Sequence, residues 1–415
     1  MTRLTRWLTL ALGLMVIAGF ALGEDAAWNQ WRGPNRDGKI KGFKTPERWP
    51  KTLDRKWTVA VGVGHSSPLI VGDAVFSFSR EGDDEVIRRL DLATGRVIWR
   101  ESYPVPYEMN PAAKGHGKGP KATPVYSDGR LYTLGISGIL SCHDSKSGKS
   151  LWRKEFTQQY KQTSPLFGTA MSPLVERGLL IAHVGGNDDG ALTAFDAKSG
   201  DVRWRWTGDG PGYASSILLV RGGVSQIVTQ TQKMCVGIDL DNGKLLWSLP
   251  YLTSYSQNSV TPVAVGDSIV FGGIGQPTFA CRLRQTGREW TAERVWETRE
   301  VMLYMSTPIA NGTRIYGMSQ RRSGQLFSVD SATGKTLWTN EGRVGDNAAV
   351  LDAGASVLVL TTGADLIAFN RVGDTLSESA RYHIADSPTW ASPAFKGTNI
   401  VIKDATSLSL WQVPR

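Results

Sequence analysis

The sequence predicts an all-β fold, an eight-bladed β-propeller of four-stranded antiparallel blades, on three observations. A motif recurs with a period of about 46 residues, within the range of propeller blades. The chain is rich in Gly and Trp, 46 and 15 of 415 residues, and no long stretch carries the apolar period of an amphipathic helix. A lone strand-like segment, Lys56 to Val61, precedes the first repeat, and the last repeat stops at Trp411, one strand short.

Each repeat opens on Ser/Thr-Pro, runs through short apolar strands, reaches Asp-x-x-x-Gly, and places a Trp four residues after that Gly. Blade one has Ser67-Pro68, Asp91, Gly95 and Trp99. Blade two has Thr123-Pro124, Asp144, Gly148 and Trp152; blade three has Ser172-Pro173, Asp196, Gly200 and Trp204. Blade four opens on Ser215-Ser216 and keeps Asp239, Gly243 and Trp247. Blade five runs from Thr261-Pro262 through a longer hairpin to Trp296, and blade six has Thr307-Pro308, Asp330, Gly334 and Trp338. Blade seven is degenerate: Asn347-Ala348 opens it, Asn370 takes the Asp position and no Trp closes it. Blade eight opens on Ser392-Pro393.

The motif has a physical content. The Asp accepts backbone N–H groups of a tight turn and the Gly supplies its left-handed position. The six Trp rings are expected to fill the wedge between neighbouring blades. Pro is tolerated at the start of an inner strand because a first residue need not donate to the ladder. Pairing the segment around Trp57 with the last strand completes blade eight and removes an open sheet edge.

The chain divides into three parts. Residues 1–23 read as a signal peptide: Arg3 and Arg6, the apolar run Leu8 to Phe20, then Ala21-Leu22-Gly23. The run is short for a membrane span, the alternative being a retained anchor helix. No Cys follows it, so a soluble periplasmic or secreted protein starting near Glu24 is expected. Residues 24–54 form an N-terminal extension whose Trp28 and Trp31 are expected to pack on the rim or face of the propeller, a disordered leader being the alternative. Residues 55–415 are the propeller.

The formal charge is +9, or +7 without Arg3 and Arg6. The basic residues are spread over all blades, densest at Arg282, Arg284, Arg288 and Arg321-Arg322, with no interleaved base-stacking aromatics. A solvated basic surface and no nucleic-acid partner are expected. The three cysteines, Cys142, Cys235 and Cys281, fall on third strands of separate blades. Stacked sheets lie ~10 Å apart, too far for a disulfide, so buried thiols are expected.

The pattern Asp-x-x-Thr/Ser-Gly-x-x-x-Trp resembles the PQQ-type propeller repeat, shared by quinoprotein alcohol dehydrogenases and by BamB-type scaffold propellers of outer-membrane assembly. Residues 28–38 (WNQWRGPNRDG), 62–68 and 388–393 look like those of exported bacterial PQQ-like propellers of unassigned activity. The resemblance covers residues from about 55 to 415 and implies the fold; enzymes and non-enzymes share it. In the dehydrogenases it implies Ca²⁺ held by carboxylate and amide groups, a catalytic Asp, and a disulfide between adjacent cysteines against the cofactor. This chain has no adjacent cysteines and no c-type haem motif. The missing lipid-anchor Cys departs from the BamB scaffold.

Function in propellers gathers at the channel mouth, on the loops entering the inner strands. Those loops offer His65, His116, Tyr213, Asn258, Tyr304, Asp346, Asn347 and Trp390 as candidate ligand-binding residues, which can equally cap the inner strands and hold channel water. The loop 114–119 (KGHGKG) lacks the spacing and helix of a phosphate cradle. The five His are dispersed, against a metal site, and no nucleophile elbow appears. The expectation is a monomeric, non-catalytic binding or scaffold propeller with no cofactor, metal or membrane span, whose partner is a protein or a small molecule. The alternative is a PQQ- and Ca²⁺-dependent dehydrogenase acting on alcohols or sugars.

Overall fold

Seven repeats each form one sheet, the N-terminal strand completes the eighth, and eight four-stranded antiparallel sheets stand around a central channel in the computed structural model, which describes residues 27–414. Blade one is Leu69–Val71, Ala74–Glu81, Asp84–Asp91 and Val97–Pro104, from the channel outward. Middle strands are covered on both faces by neighbouring blades, so they read as apolar runs rather than as alternation; Ser356–Thr361 of blade seven is buried throughout. Outermost strands alternate: Val202–Trp206 buries Trp204 and Trp206 and exposes the residues between and before them. The export signal expected over 1–23 lies outside the described residues. Among the described residues no helix is long and apolar enough to cross a membrane.

Closure follows the expected pairing. Asp54–Ala60 lies antiparallel beside Ser407–Gln412, with Trp57 opposite Leu410, and becomes the outer strand of blade eight.

The Asp turns form as the motif requires. Asp91 Oδ1 accepts the Thr94 N–H at 2.9 Å and its hydroxyl at 2.7 Å, with Gly95 at φ +71°. The Trp rings seat on these turns across the blade boundary. Trp99 donates its indole N–H to the Ser145 carbonyl at 3.1 Å and lies over Gly148, where a Cβ would fall 2.7 Å from the ring. Trp152 does the same to Ala197 and Gly200, Trp204 to Leu240 and Gly243, and Trp296 to Ser331 and Gly334. The Gly is therefore required twice, for its backbone angle and for the ring above it.

Two of the six rings depart from this scheme. Trp247 donates within its own blade, to Gln226 Oε1 at 2.8 Å, because blade five turns at Gly287 without the Asp motif. Trp338 is half-buried and faces blade seven, whose strand Asp365–Val372 runs straight through Asn370 to a turn at Gly373. Trp57, outside the six, takes the same seat, donating to Leu92 at 2.8 Å above Gly95. The three cysteines are free and buried, and burial pushes the Cys142 and Cys281 thiols up to about 12.

The N-terminal segment corrects the expectation of rim or face packing: it enters the channel. Trp28 exchanges backbone hydrogen bonds with Ile70 of blade one, and Asn29 accepts from Tyr126 of blade two. Arg36 donates to the carbonyls of Ser172, Pro173 and Ser216 in blades three and four. Trp31 donates to Thr261 Oγ1 of blade five at 2.9 Å. Arg32 reaches the Thr307 and Pro308 carbonyls of blade six and that of Val350 in blade seven. The Trp28 ring lies 5.5 Å from Phe395 of blade eight. The innermost strand of every blade has one unpaired edge, and polar atoms there must find partners. One segment supplies hydrogen-bond partners to blades one to seven and a ring contact to blade eight.

Candidate functional site

The channel mouth is built in register. In the residue two places before the Ser/Thr of each opening pair, blades one to four present His65, Lys121, Ala170 and Tyr213; blades five, six and eight present Ser259, Met305 and Trp390. All seven line one cavity of about 250 Å³. Loops between blades add His116, Phe167, Gln257 and Tyr304, and Trp31 of the channel segment joins the lining from the channel side. Loop packing fixes His65: its N–H and that of Ser66 both donate to the Pro120 carbonyl, at 2.8 and 3.0 Å. At Gly119 a Cβ would fall 2.5 Å from Gly64 Cα, so the glycines of this loop serve close backbone approach.

Just below, the Ser/Thr of the repeat staples blade to blade. The Ser392 N–H donates to Ser67 Oγ, Ser67 N–H to Thr123 Oγ1, Thr123 N–H to Ser172 Oγ and Ser172 N–H to Ser215 Oγ, at 2.9 to 3.2 Å. Thr261 and Thr307 make the same bond at 3.2 Å. Each hydroxyl accepts, and so keeps its own proton for a further acceptor. The repeat's Ser/Thr thus has a role beyond the tolerated Pro that follows it.

The mouth is aromatic and weakly cationic. His65, His116 and Trp390 form a cluster with centroids 4.8 to 6.0 Å apart, and Phe167 and Tyr213 a second pair at 6.0 Å. Tyr213 O–H accepts the Phe167 N–H, and Tyr304 donates to Gln257 Oε1 at 2.7 Å. Burial holds His65 down to about 3, with the His116 and Lys121 neighbours adding to it; burial also lowers His116. Both imidazoles are neutral at pH 7. Lys121 donates to the Phe167 carbonyl, and burial lowers it to about 8, so it remains a cation there. No carboxylate is in the lining.

Of the residues singled out from the sequence, His65, His116, Tyr213, Tyr304 and Trp390 meet in this cavity. Asn258 does not: it is fully buried and donates to the Thr231, Gln232 and Tyr251 carbonyls, holding its loop. Asn347 lines a smaller adjoining cavity with Trp31 and Trp390. Asp346 is exposed and outside both linings. The sequence reading missed Trp31, Lys121 and Phe167; the register that places His65 and Trp390 also points to Lys121. Among the described residues no three His, Cys, Asp or Glu converge on a metal position. The rings of the mouth suit a flat cofactor such as PQQ, but its Ca²⁺ would find no carboxylate in the lining, and the set does not fit the pair.

Behind the mouth, Glu85 is buried and accepts from the Tyr103 hydroxyl at 2.9 Å and the Ile136 N–H at 2.7 Å; the Ile136 carbonyl in turn accepts the Thr169 N–H, on the loop that carries Phe167. Burial raises its carboxyl to about 7, against these hydrogen bonds. A raised acid pKa stabilises the fold fully below the unfolded value, near 4.5, and that stability is lost as pH rises through 7. The span corresponds to about 3 kcal/mol. Buried His65, His143 and His183, with lowered pKa values, act in the opposite direction over an overlapping range. The expected result therefore concerns the difference: Glu85→Gln, which mimics the protonated acid, gains on the wild type in urea midpoint between pH 4.5 and 7.5. Parallel pH profiles of the two proteins would refute the assignment.

Comparison with known proteins adds four findings. The family model described as outer membrane protein assembly factor BamB matches residues 83–340. Outer membrane protein assembly factor BamB of Burkholderia pseudomallei is 26% identical over 70% of this chain and 69% of that protein. The dehydrogenase subunit of a quinone alcohol dehydrogenase from Komagataeibacter europaeus is 29% identical over 34% of this chain, which spans 19% of the subunit. The crystal structure of BamB from Moraxella catarrhalis superposes with a TM-score of 0.62 over 87% of this chain and 98% of that one, at 14% identity, a likeness of fold.

Proposed function

Because this chain belongs to the family described as outer membrane protein assembly factor BamB, we propose that it is an exported, non-catalytic binding or scaffold propeller acting in the periplasm or outside the cell. Its functional surface is the channel mouth, which receives a protein segment or a small molecule. The chemistry of the mouth carries this reading: rings, hydroxyls and one buried cation, with no carboxylate. Quinone catalysis needs oxygen ligands for a cation and a base to take the substrate proton. Asp346 is outside the cavity, and His65, held to about 3, binds a proton too weakly to act as that base at neutral pH.

The test is titration of the purified protein with PQQ and Ca²⁺, followed by alcohol-dependent dye reduction. No turnover is expected. Turnover abolished by Asp346→Ala would replace this reading with a dehydrogenase.

A further inference from the structure

We propose that the mouth cavity takes a uronic acid residue, either the free sugar acid or the end of an acidic polysaccharide. This deepens the reading of the mouth as a binding surface and rests on it. Size comes first. A cavity of about 250 Å³ lies below the range of about 300–1,000 Å³ that takes drug-sized molecules, and suits a ligand the size of one pyranose.

The walls come second. Trp31, Phe167 and Trp390 give flat apolar faces for the C–H face of a sugar ring. Between them lie hydroxyls of Ser172, Ser215 and Thr307, each accepting a backbone N–H and each retaining a proton to donate. The Gln257 amide nitrogen adds a donor beside them, its oxygen being taken by Tyr304. A polyhydroxylated ring uses such a set of donors; a simple aromatic acid leaves it unmet, which costs free energy in a buried site.

Charge comes third. Lys121 is largely buried, uses one proton on the Phe167 carbonyl, and no acidic group is among the influences on it. Its other two protons have no carboxylate partner among the described residues. A charged donor of this kind gains most from an ionised acceptor. His65 Nε2, buried beside it, also has no partner among the described residues. The cavity therefore selects a sugar with a negative charge over its neutral counterpart.

Tryptophan fluorescence, reporting on Trp31 and Trp390, follows titration of the full-length protein with galacturonate, its trimer, galactose and benzoate. A saturable change is expected with galacturonate, with the trimer or with both, at least tenfold tighter than with galactose. Monomer and trimer binding alike indicates the free acid as source; the trimer alone indicates a chain end. Lys121→Gln weakens uronide binding at least tenfold, and the galactose comparison on the wild type keeps the charge argument testable if that variant folds poorly. Galactose binding as tightly as galacturonate, or Lys121→Gln binding unchanged, overturns the proposal. Benzoate binding tightest overturns the sugar acid and leaves the mouth as a ligand site. No response to either uronide overturns the proposal and leaves the scaffold reading in place. Turnover with PQQ would instead remove that reading itself.

Discussion

Arg36→Met is expected to lower stability by about 4 kcal/mol. The guanidinium is 3% exposed and donates to four acceptors: Ser216, Pro173 and Ser172 carbonyls at 2.6 to 2.9 Å, and Gln30 Oε1 at 3.1 Å. Burial lowers its pKa to about 9, which still leaves it charged at neutral pH. Methionine fills a similar volume but orphans all four acceptors. Each buried orphan costs about 1–3 kcal/mol before water relieves part of it. Arg36 also holds a left-handed backbone, φ +59°, which costs about 1 kcal/mol or more and persists only because the hydrogen bonds fix it. Chemical denaturation checks the expectation; a midpoint unchanged from wild type would show that the Arg36 hydrogen bonds contribute no stability.

Deletion of residues 55–61 is expected to cost on the order of 5 kcal/mol or more. The deletion removes all of the ladder against Ser407–Gln412 except the Asp54–Gln412 pair, together with the Trp57 ring seated on the Asp91–Gly95 turn. Loss of a buried Trp alone costs about 3–5 kcal/mol, and Trp57, being partly exposed, falls at the low end. The exposed edge of Ser407–Gln412 then becomes a template for another chain. A lower melting temperature together with dimers or larger species on size exclusion is the expected outcome. A monomer with the wild-type melting temperature would mean that the propeller does not depend on this closure.

The blades were legible because each repeats the same local chemistry. Asp91, Asp144, Asp196 and Asp330 make the same turn in sequence as in space, and Lys56 to Val61 carries the apolar pattern of the strand it becomes. Trp247 and Trp338 still pack against the following blade, as the wedge reading requires, but without an Asp-Gly seat, because blades five and seven have lost that turn. The mouth was half legible. His65, Tyr213 and Trp390 stand at one repeat position, and so does Lys121, whose side chain follows a Gly-rich loop that reads as a turn rather than as a lining. The channel segment was not legible. Trp31, Arg32 and Arg36 meet partners 136 to 318 residues away, and no periodicity encodes where an aperiodic segment will lie.

That segment also sets the order of events in folding. It is synthesised before any blade, yet its partners span the whole propeller, up to Phe395. Its seat is incomplete until the last blade exists, so residues made before any blade are among the last to find their place. Contacts of such sequence separation slow folding, since the loop entropy must be met before they form. Once formed, they tie early and late blades into one cooperative unit, so opening any blade is opposed by contacts with all the others.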